Sequence, residues 1–229
     1  MSLPNPYDKL PSKYKTKTDN PNFDKHGINL HFRMCVSAPS GSGKTSFVYN
    51  LLHIMDNTFD KIFIITSNKD EALYNHLEDK SKGRIIITEG LSSIPDMDTF
   101  KKETDQTLII FDDLVSKKNQ TPIINFFLRC RKVATSAIYI SQSYFDIPSI
   151  IRKNVSYSVF LKLGNVRELK TIMRDNSMDD IEILRRMFEF ATNEKFQVLI
   201  IDKESDNPKR KFRQNYLNYL DPMDFASAT

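Results

Sequence analysis

Residues 38–46 read Ala38-Pro39-Ser40-Gly41-Ser42-Gly43-Lys44-Thr45-Ser46, a phosphate-cradling pattern in which Ala38 takes the first glycine position. A nucleoside triphosphate carries several negative charges, so a cradle needs backbone N–H groups free to converge on it and a cation to meet the terminal phosphates. Gly41 and Gly43 permit that backbone path, Lys44 supplies the cation, and Thr45 offers a hydroxyl to Mg²⁺. Pro39, Ser40, Ser42 and Ser46 complete the wall. A second candidate group closes the apolar run Thr107-Leu-Ile-Ile-Phe111, which ends in Asp112-Asp113. Mg²⁺ prefers octahedral oxygen coordination and keeps several waters, and Thr45 with the Asp112 carboxylate can hold it against the phosphates. Asp113 either orients or deprotonates an attacking water or opens the following loop as a second acid. Gln142, after the run Ala137-Ile-Tyr-Ile140, either faces the terminal phosphate or is the polar residue at which a strand ends. Arg129, Arg131 and Arg152 are candidates for a guanidinium that stabilises charge developing on a transferred phosphoryl group. Each also reads as a solvated surface arginine.

Such a cradle works between a strand and a helix, and the flanks supply both. Residues 28–36 are strand-like and rich in apolar side chains, while Phe47, Val48, Leu51, Leu52, Ile54 and Met55 recur at helical spacing. That order puts the phosphates at the positive end of a helix. Downstream, strands at 61–66, 84–88, 107–111, 137–140, 155–163 and 196–201 alternate with helices near 70–80, 148–152, 166–174 and 178–190. A further helix starts with Thr121 as N-cap and Pro122 in its first turn, and ends in the cationic Arg129, Arg131 and Lys132. The uniformly apolar run 107–111 is what a strand buried on both faces of a parallel sheet requires. The alternation predicts an α/β domain whose parallel sheet is covered on both sides.

At 229 residues and 40% hydrophobic, the chain can bury one sizeable core and carry short appendages. The division expected is a polar, proline-bearing arm over 1–27, disordered or packed on a neighbour, a P-loop domain over 28–204, and a basic tail over 205–229. No apolar run approaches the roughly twenty residues needed to span a bilayer, and the opening segment is not signal-like, so the expectation is a soluble intracellular protein. Cys35 and Cys130 lack metal-ligand spacing and read as buried thiols. His26, His31, His53 and His76 show neither metal nor triad spacing. A net charge of +4 is too small by itself to argue for nucleic acid. Its distribution says more: Lys9, Lys13, Lys15, Lys17 and Lys25 dot the arm, and Lys203, Lys209, Arg210, Lys211 and Arg213 cluster near the end, either solvated or touching phosphates. Tyr144 and Phe145, just after Gln142, face a pore or DNA, or pack in a core or interface.

Four segments, in order and spacing, carry a resemblance. Pro39-Ser-Gly-Ser-Gly-Lys-Thr45, Leu108-Ile-Ile-Phe-Asp-Asp-Leu114, Arg131 followed by Thr135-Ser-Ala-Ile-Tyr-Ile-Ser-Gln142, and Ile147-Pro-Ser-Ile-Ile-Arg-Lys-Asn154 resemble the poxvirus-type genome-packaging ATPases of large DNA viruses and virophages. These belong to the FtsK/HerA superfamily of DNA-pumping motors, and the resemblance covers about residues 30–175. It implies a three-layer, additional-strand P-loop NTPase of the RecA and FtsK/HerA type, with a central mainly parallel sheet flanked by helices and the Gln142 strand lying between those of Lys44 and Asp112. It implies ATP and Mg²⁺ as cofactors, and a homo-oligomeric ring, hexameric in this pattern, that threads double-stranded DNA into a preformed capsid without reading sequence. Contact with capsid or portal-vertex proteins follows, as does a place in the host cytoplasm or the virion. Lys44, Asp112 and Asp113 would serve hydrolysis, with Gln142 as sensor and Arg131 as a finger acting in trans. Arg152 and Asn154 match a further family segment. Related motors often carry Asp-Glu where this chain has Asp112-Asp113, which puts a shorter side chain at the water-activating position. Two other readings share the loop: a nucleotide or nucleoside kinase, and a non-catalytic nucleotide-binding assembly subunit. A small-molecule kinase needs a water-excluding lid, and nothing in the sequence resembles one.

Overall fold

The apolar runs form the strands expected of them, and the helices between them cover both faces of one sheet. The computed structural model describes residues 6–9, 11, 18–101, 105–115, 119–162 and 165–226. In chain order the elements are α1 (Phe23–His26), β1 (Arg33–Ser37), α2 (Lys44–Ile54), β2 (Lys61–Thr66), α3 (Ala72–Lys80), β3 (Ile85–Glu89), α4 (Met97–Lys101), β4 (Thr107–Asp112), α5 (Thr121–Arg129), β5 (Thr135–Ser141), α6 (Ser149–Asn154), β6 (Tyr157–Phe160), α7 (Val166–Asp175), α8 (Ile181–Ala191), β7 (Leu199–Asp202), β8 (Phe212–Gln214) and β9 (Asn218–Leu220). The strands lie in the order β3-β2-β4-β5-β1-β6-β7-β8-β9. From β3 to β6 every pairing is parallel. β7, β8 and β9 then add antiparallel.

The period of two along each strand explains why β4 and β5 are apolar throughout. Leu108, Ile110, Ile138 and Ile140 turn to one face, where they pack with Phe47, Val48, Leu51 and Leu52 of α2 and Tyr74 of α3. Ile109, Phe111, Ala137 and Tyr139 turn to the other, against Ile123, Phe126 and Phe127 of α5 and Leu184, Met187 and Phe188 of α8. The helix ends are fixed locally. Asn165 Oδ1 accepts from Glu168 N at 3.0 Å to start α7, and Asp180 Oδ1 accepts from Glu182 N at 2.7 Å and Ile183 N at 3.2 Å to start α8. Cys35 and Cys130 are buried free thiols. No described helix is long and apolar enough to cross a membrane.

Four expectations need correction. The first strand begins at Arg33, not Ile28; Ile28 and Phe32 are fully buried but belong to the approach to the strand, so burial rather than pairing made them look strand-like. α5 is preceded by Gln120 at the cap position, which makes no side-chain cap bond, with Thr121 already helical. The last long strand starts at Leu199, leaving Phe196 in a turn with a left-handed backbone, φ 71°. The segment from 205 onward is not a tail: β8 and β9 extend the sheet, and Arg213 is buried in a pair with Asp202.

Of the arm expected over 1–27, Lys13, Lys15 and Lys17 lie outside the described residues. Residues 18–27 dock on their own domain. Gln106 Nε2 donates to Asp19 O at 2.7 Å, Asn20 Nδ2 donates to Ile28 O at 2.9 Å, and Arg213 Nη1 donates to Gly27 O at 2.8 Å.

Candidate nucleotide site

Parallel strands all end at the same edge, so the residues just past β1, β5 and β4 are neighbours. The register pairs Ser37 with Ser141 and Asp112 with Ile140. Ala38 N donates to Ser141 O, and Asp113 N donates to Ile140 O, each at 3.3 Å. The phosphate-type loop, the twin acid and Gln142 therefore share one crevice, with the Gln142 strand in the middle as the resemblance implied.

The loop turns through left-handed glycines. Gly41 has φ 74°, with nothing within 4 Å of where a Cβ would sit, and Gly43 has φ 95°. A Cβ on Gly43 would also lie 2.5 Å from Phe196 Cδ1, so this position excludes any larger residue by conformation and by contact. α2 begins at once with Lys44. Lys44 Nζ donates to Ala38 O at 2.7 Å and Pro39 O at 3.0 Å. Burial pulls its pKa down, against the attraction of Asp112 and Asp113.

Asp112 is pushed up to about 6 by burial and by the charge of Asp113, while the Tyr74 hydroxyl and the Lys44 ammonium act the other way. Tyr74 Oη donates to Asp112 Oδ2 at 2.8 Å, and burial beside that carboxylate drives the Tyr74 phenol strongly upward, keeping it a donor. A carboxylate left in a desolvated spot gains from a divalent cation, and Asp112, an oxygen donor of the kind Mg²⁺ takes, is such a carboxylate. Asp113 sits in the left-handed region, φ 52°, where Asp is better tolerated than most residues. Gln142 Nε2 donates to both its oxygens at 3.2 and 3.3 Å. Asp113 and Gln142 are thus one linked pair, and the short acid still reaches the tip of β5.

The arginines separate. Arg152 is buried, its Nη1 donating to Tyr144 O at 3.1 Å and its Nε 3.2 Å from Asp175 Oδ2. It ties α6 to α7 and cannot be inserted elsewhere, which removes it as a finger candidate. Arg131 lies before β5, at the sheet edge opposite the loop, where its Nη2 bonds Ser156 Oγ and Glu204 Oε1. Arg129 is exposed at the end of α5. Of the two aromatics, Tyr144 is core, packed edge-on against Phe160 at 5.2 Å, and Phe145 is exposed. Lys209 pairs with Asp221 at 3.1 Å, and Lys211 Nζ donates to Asn176 O at 2.7 Å, so both are engaged within the chain.

Sequence reading missed Tyr74 and Phe196. Tyr74 was one of few apolar positions in a polar helix, and a tyrosine buried there needs a hydroxyl partner, which would have pointed to a strand-tip acid. Phe196 carried no such signal, because its contact with Gly43 joins residues far apart in the chain.

Similarity to known proteins bears on this geometry. The model of the family described as Poxvirus A32 protein matches residues 21–211. The chain is 23% identical over 199 residues to DNA packaging protein OPG160 of Variola virus, covering 76% of this chain and 71% of that protein, with the same values for the Vaccinia virus (strain Copenhagen) protein of that name. Among solved structures, genome packaging NTPase B204 of Sulfolobus turreted icosahedral virus 2, in complex with ATP-gammaS, superposes with a TM-score of 0.59 at 16% identity, covering 83% of this chain and all of that one. The cytoplasmic domain of the type VII secretion ATPase EccC of Thermomonospora curvata gives 0.51 at 10% identity, over 86% of this chain and 24% of that one. These structures share the fold of a P-loop NTPase. With a family match over residues 21–211, most of its length, the chain belongs to the poxvirus A32 protein family.

Proposed function

We propose that this chain is the ATPase of a viral genome-packaging motor, hydrolysing ATP to ADP and phosphate and using the cycle to move double-stranded DNA into a capsid. The observation that carries this reading is the convergence of Lys44, Asp112, Asp113 and Gln142 on the tips of three adjacent parallel strands. Relatives named for DNA packaging support the DNA half of it.

In this reading the loop amides and Lys44 bind the β- and γ-phosphates, the ammonium exchanging the Ala38 and Pro39 carbonyls for phosphate oxygens. Thr45 and Asp112 would hold Mg²⁺, which would supply positive charge against the phosphate oxygens. Asp113 aligns water and accepts its proton, while Gln142, bonded to it, registers whether the γ-phosphate is present. Arg131, facing away from its own loop, serves the site of a neighbouring copy in a ring, with capsid or portal-vertex proteins as the docking partner. The setting is the cytoplasm of an infected cell or the virion.

The test is turnover with and without long duplex DNA, with product analysis. Release of free phosphate accelerated by duplex is the expected result. Equal rates with and without DNA would remove translocation, a phosphorylated nucleoside would assign a kinase, and ATP binding without turnover would leave an assembly subunit.

A further inference from the structure

Beside the loop lies a cleft of about 370 Å³ lined by Phe47, Asn50, Phe196, Gln197, Asn215 and Tyr216, with Lys195, a volume in the range of small-ligand sites. We infer that this cleft is the nucleobase subsite of the nucleotide bound on the Lys44 loop, with the Phe196 ring as its stacking platform. The inference rests on the nucleotide reading given above and extends it to residues outside the phosphate loop.

Three observations carry it. The first is continuity: Phe196 touches the position of Gly43, and Phe47 lies one turn along α2 from Lys44. A nucleotide whose phosphates cap α2 therefore has its sugar and base beside this wall. The second is Phe196 itself. It is 51% exposed, although a large apolar ring gains by burial, and its backbone is held at φ 71°, a conformation that persists where surrounding structure imposes it and that clusters at ligand sites. The third is a second aromatic on the same wall: Tyr216, whose ring stacks on Phe47 with centroids 6.4 Å apart, lines the cleft beside Phe196. Asn50 adds an exposed amide on the same wall, of the type that pairs with an adenine edge.

Aromatic stacking on a base is worth about 1–3 kcal/mol, so the loss of the ring should weaken ATP by about five- to 150-fold. Two probes are titrated with Mg²⁺ present: ATP, and inorganic tripolyphosphate, which has no base. Phe196→Ala is expected to weaken ATP by about that factor and to leave tripolyphosphate within about twofold. Phe196→Leu keeps bulk against Gly43 without an aromatic face and should behave like Phe196→Ala, whereas Phe196→Trp should bind ATP like the parent. Equal weakening of both probes, or a Phe196→Leu protein indistinguishable from the parent, would overturn the platform by showing that the ring only props the loop. Unchanged ATP binding in Phe196→Ala would overturn it too. If the parent protein binds neither probe and Lys44→Ala changes nothing, the nucleotide reading itself fails, and the subsite with it.

Discussion

The two halves of the sheet do different work. From β3 to β6 the strands run parallel, so their polar tips arrive at one edge and a loop, two acids and an amide meet there. From β7 to β9 they alternate in direction, so no edge collects their ends. That wing holds its polar groups inside instead. Arg213 and Asp202 are 4% and 5% exposed and paired, and Arg213 also reaches Gly27 O and lies 5.7 Å over the Tyr157 ring. Parallel strands concentrate chemistry at a rim, and the antiparallel wing braces the chain's opening segment against β6.

The sharpest way to break this contrast is in the wing. Arg213→Met leaves Asp202 buried without its cation and should lower stability by about 3–5 kcal/mol, read as a lower urea midpoint, with ATP affinity of the folded protein unchanged. Pairing it with Asp202→Leu should recover most of the loss. The rim should answer in rate instead. Asp113→Asn keeps a residue suited to the left-handed backbone and should cut turnover by about 10²-fold or more, with ATP still bound and the unfolding free energy from urea titration within about 0.5 kcal/mol of the parent.

A third test uses pH at the seam between arm and wing. His26 is fully buried, its Nδ1 accepting from Ile28 N at 3.0 Å. Burial, with Arg213 nearby and against the pull of Asp24, pushes its pKa down to about 4. Between pH 6.5 and 4 the unfolded chain binds a proton that the folded one refuses, so stability falls as pH drops through that window, by on the order of 2–3 kcal/mol. His26→Asn, which retains an acceptor, should flatten the dependence of the urea midpoint between pH 7.5 and 5. Tyr74→Phe should cost about 1.5–3 kcal/mol, the worth of a hydrogen bond to a charged group, measured by urea unfolding and accompanied by slower turnover because Asp112 loses its fixed orientation. Lys209→Ala removes an ion pair whose lysine is 76% exposed and should change stability by less than about 0.5 kcal/mol.

The same contrast explains what could be read in advance. The rim was legible because Gly41, Gly43, Lys44 and Asp112 are local signals at the ends of apolar runs long enough to show their period. The wing was not. β8 and β9 are three residues each, too short for a pattern, and Lys209, Arg210, Lys211 and Arg213 give their segment the composition of a solvated tail. Only the partner 11 positions upstream, Asp202, makes an arginine at 213 an interior residue. Arg152 misled for the same reason: charge on a helix reads as surface until Asp175 and the Tyr144 carbonyl are seen around it.

The ammonium of Lys44 is already solvated by two carbonyls of its own loop. On the proposed reading, a triphosphate must draw the side chain away from both carbonyls, so its affinity for the loop is lowered by whatever it takes to release Lys44 from Ala38 and Pro39.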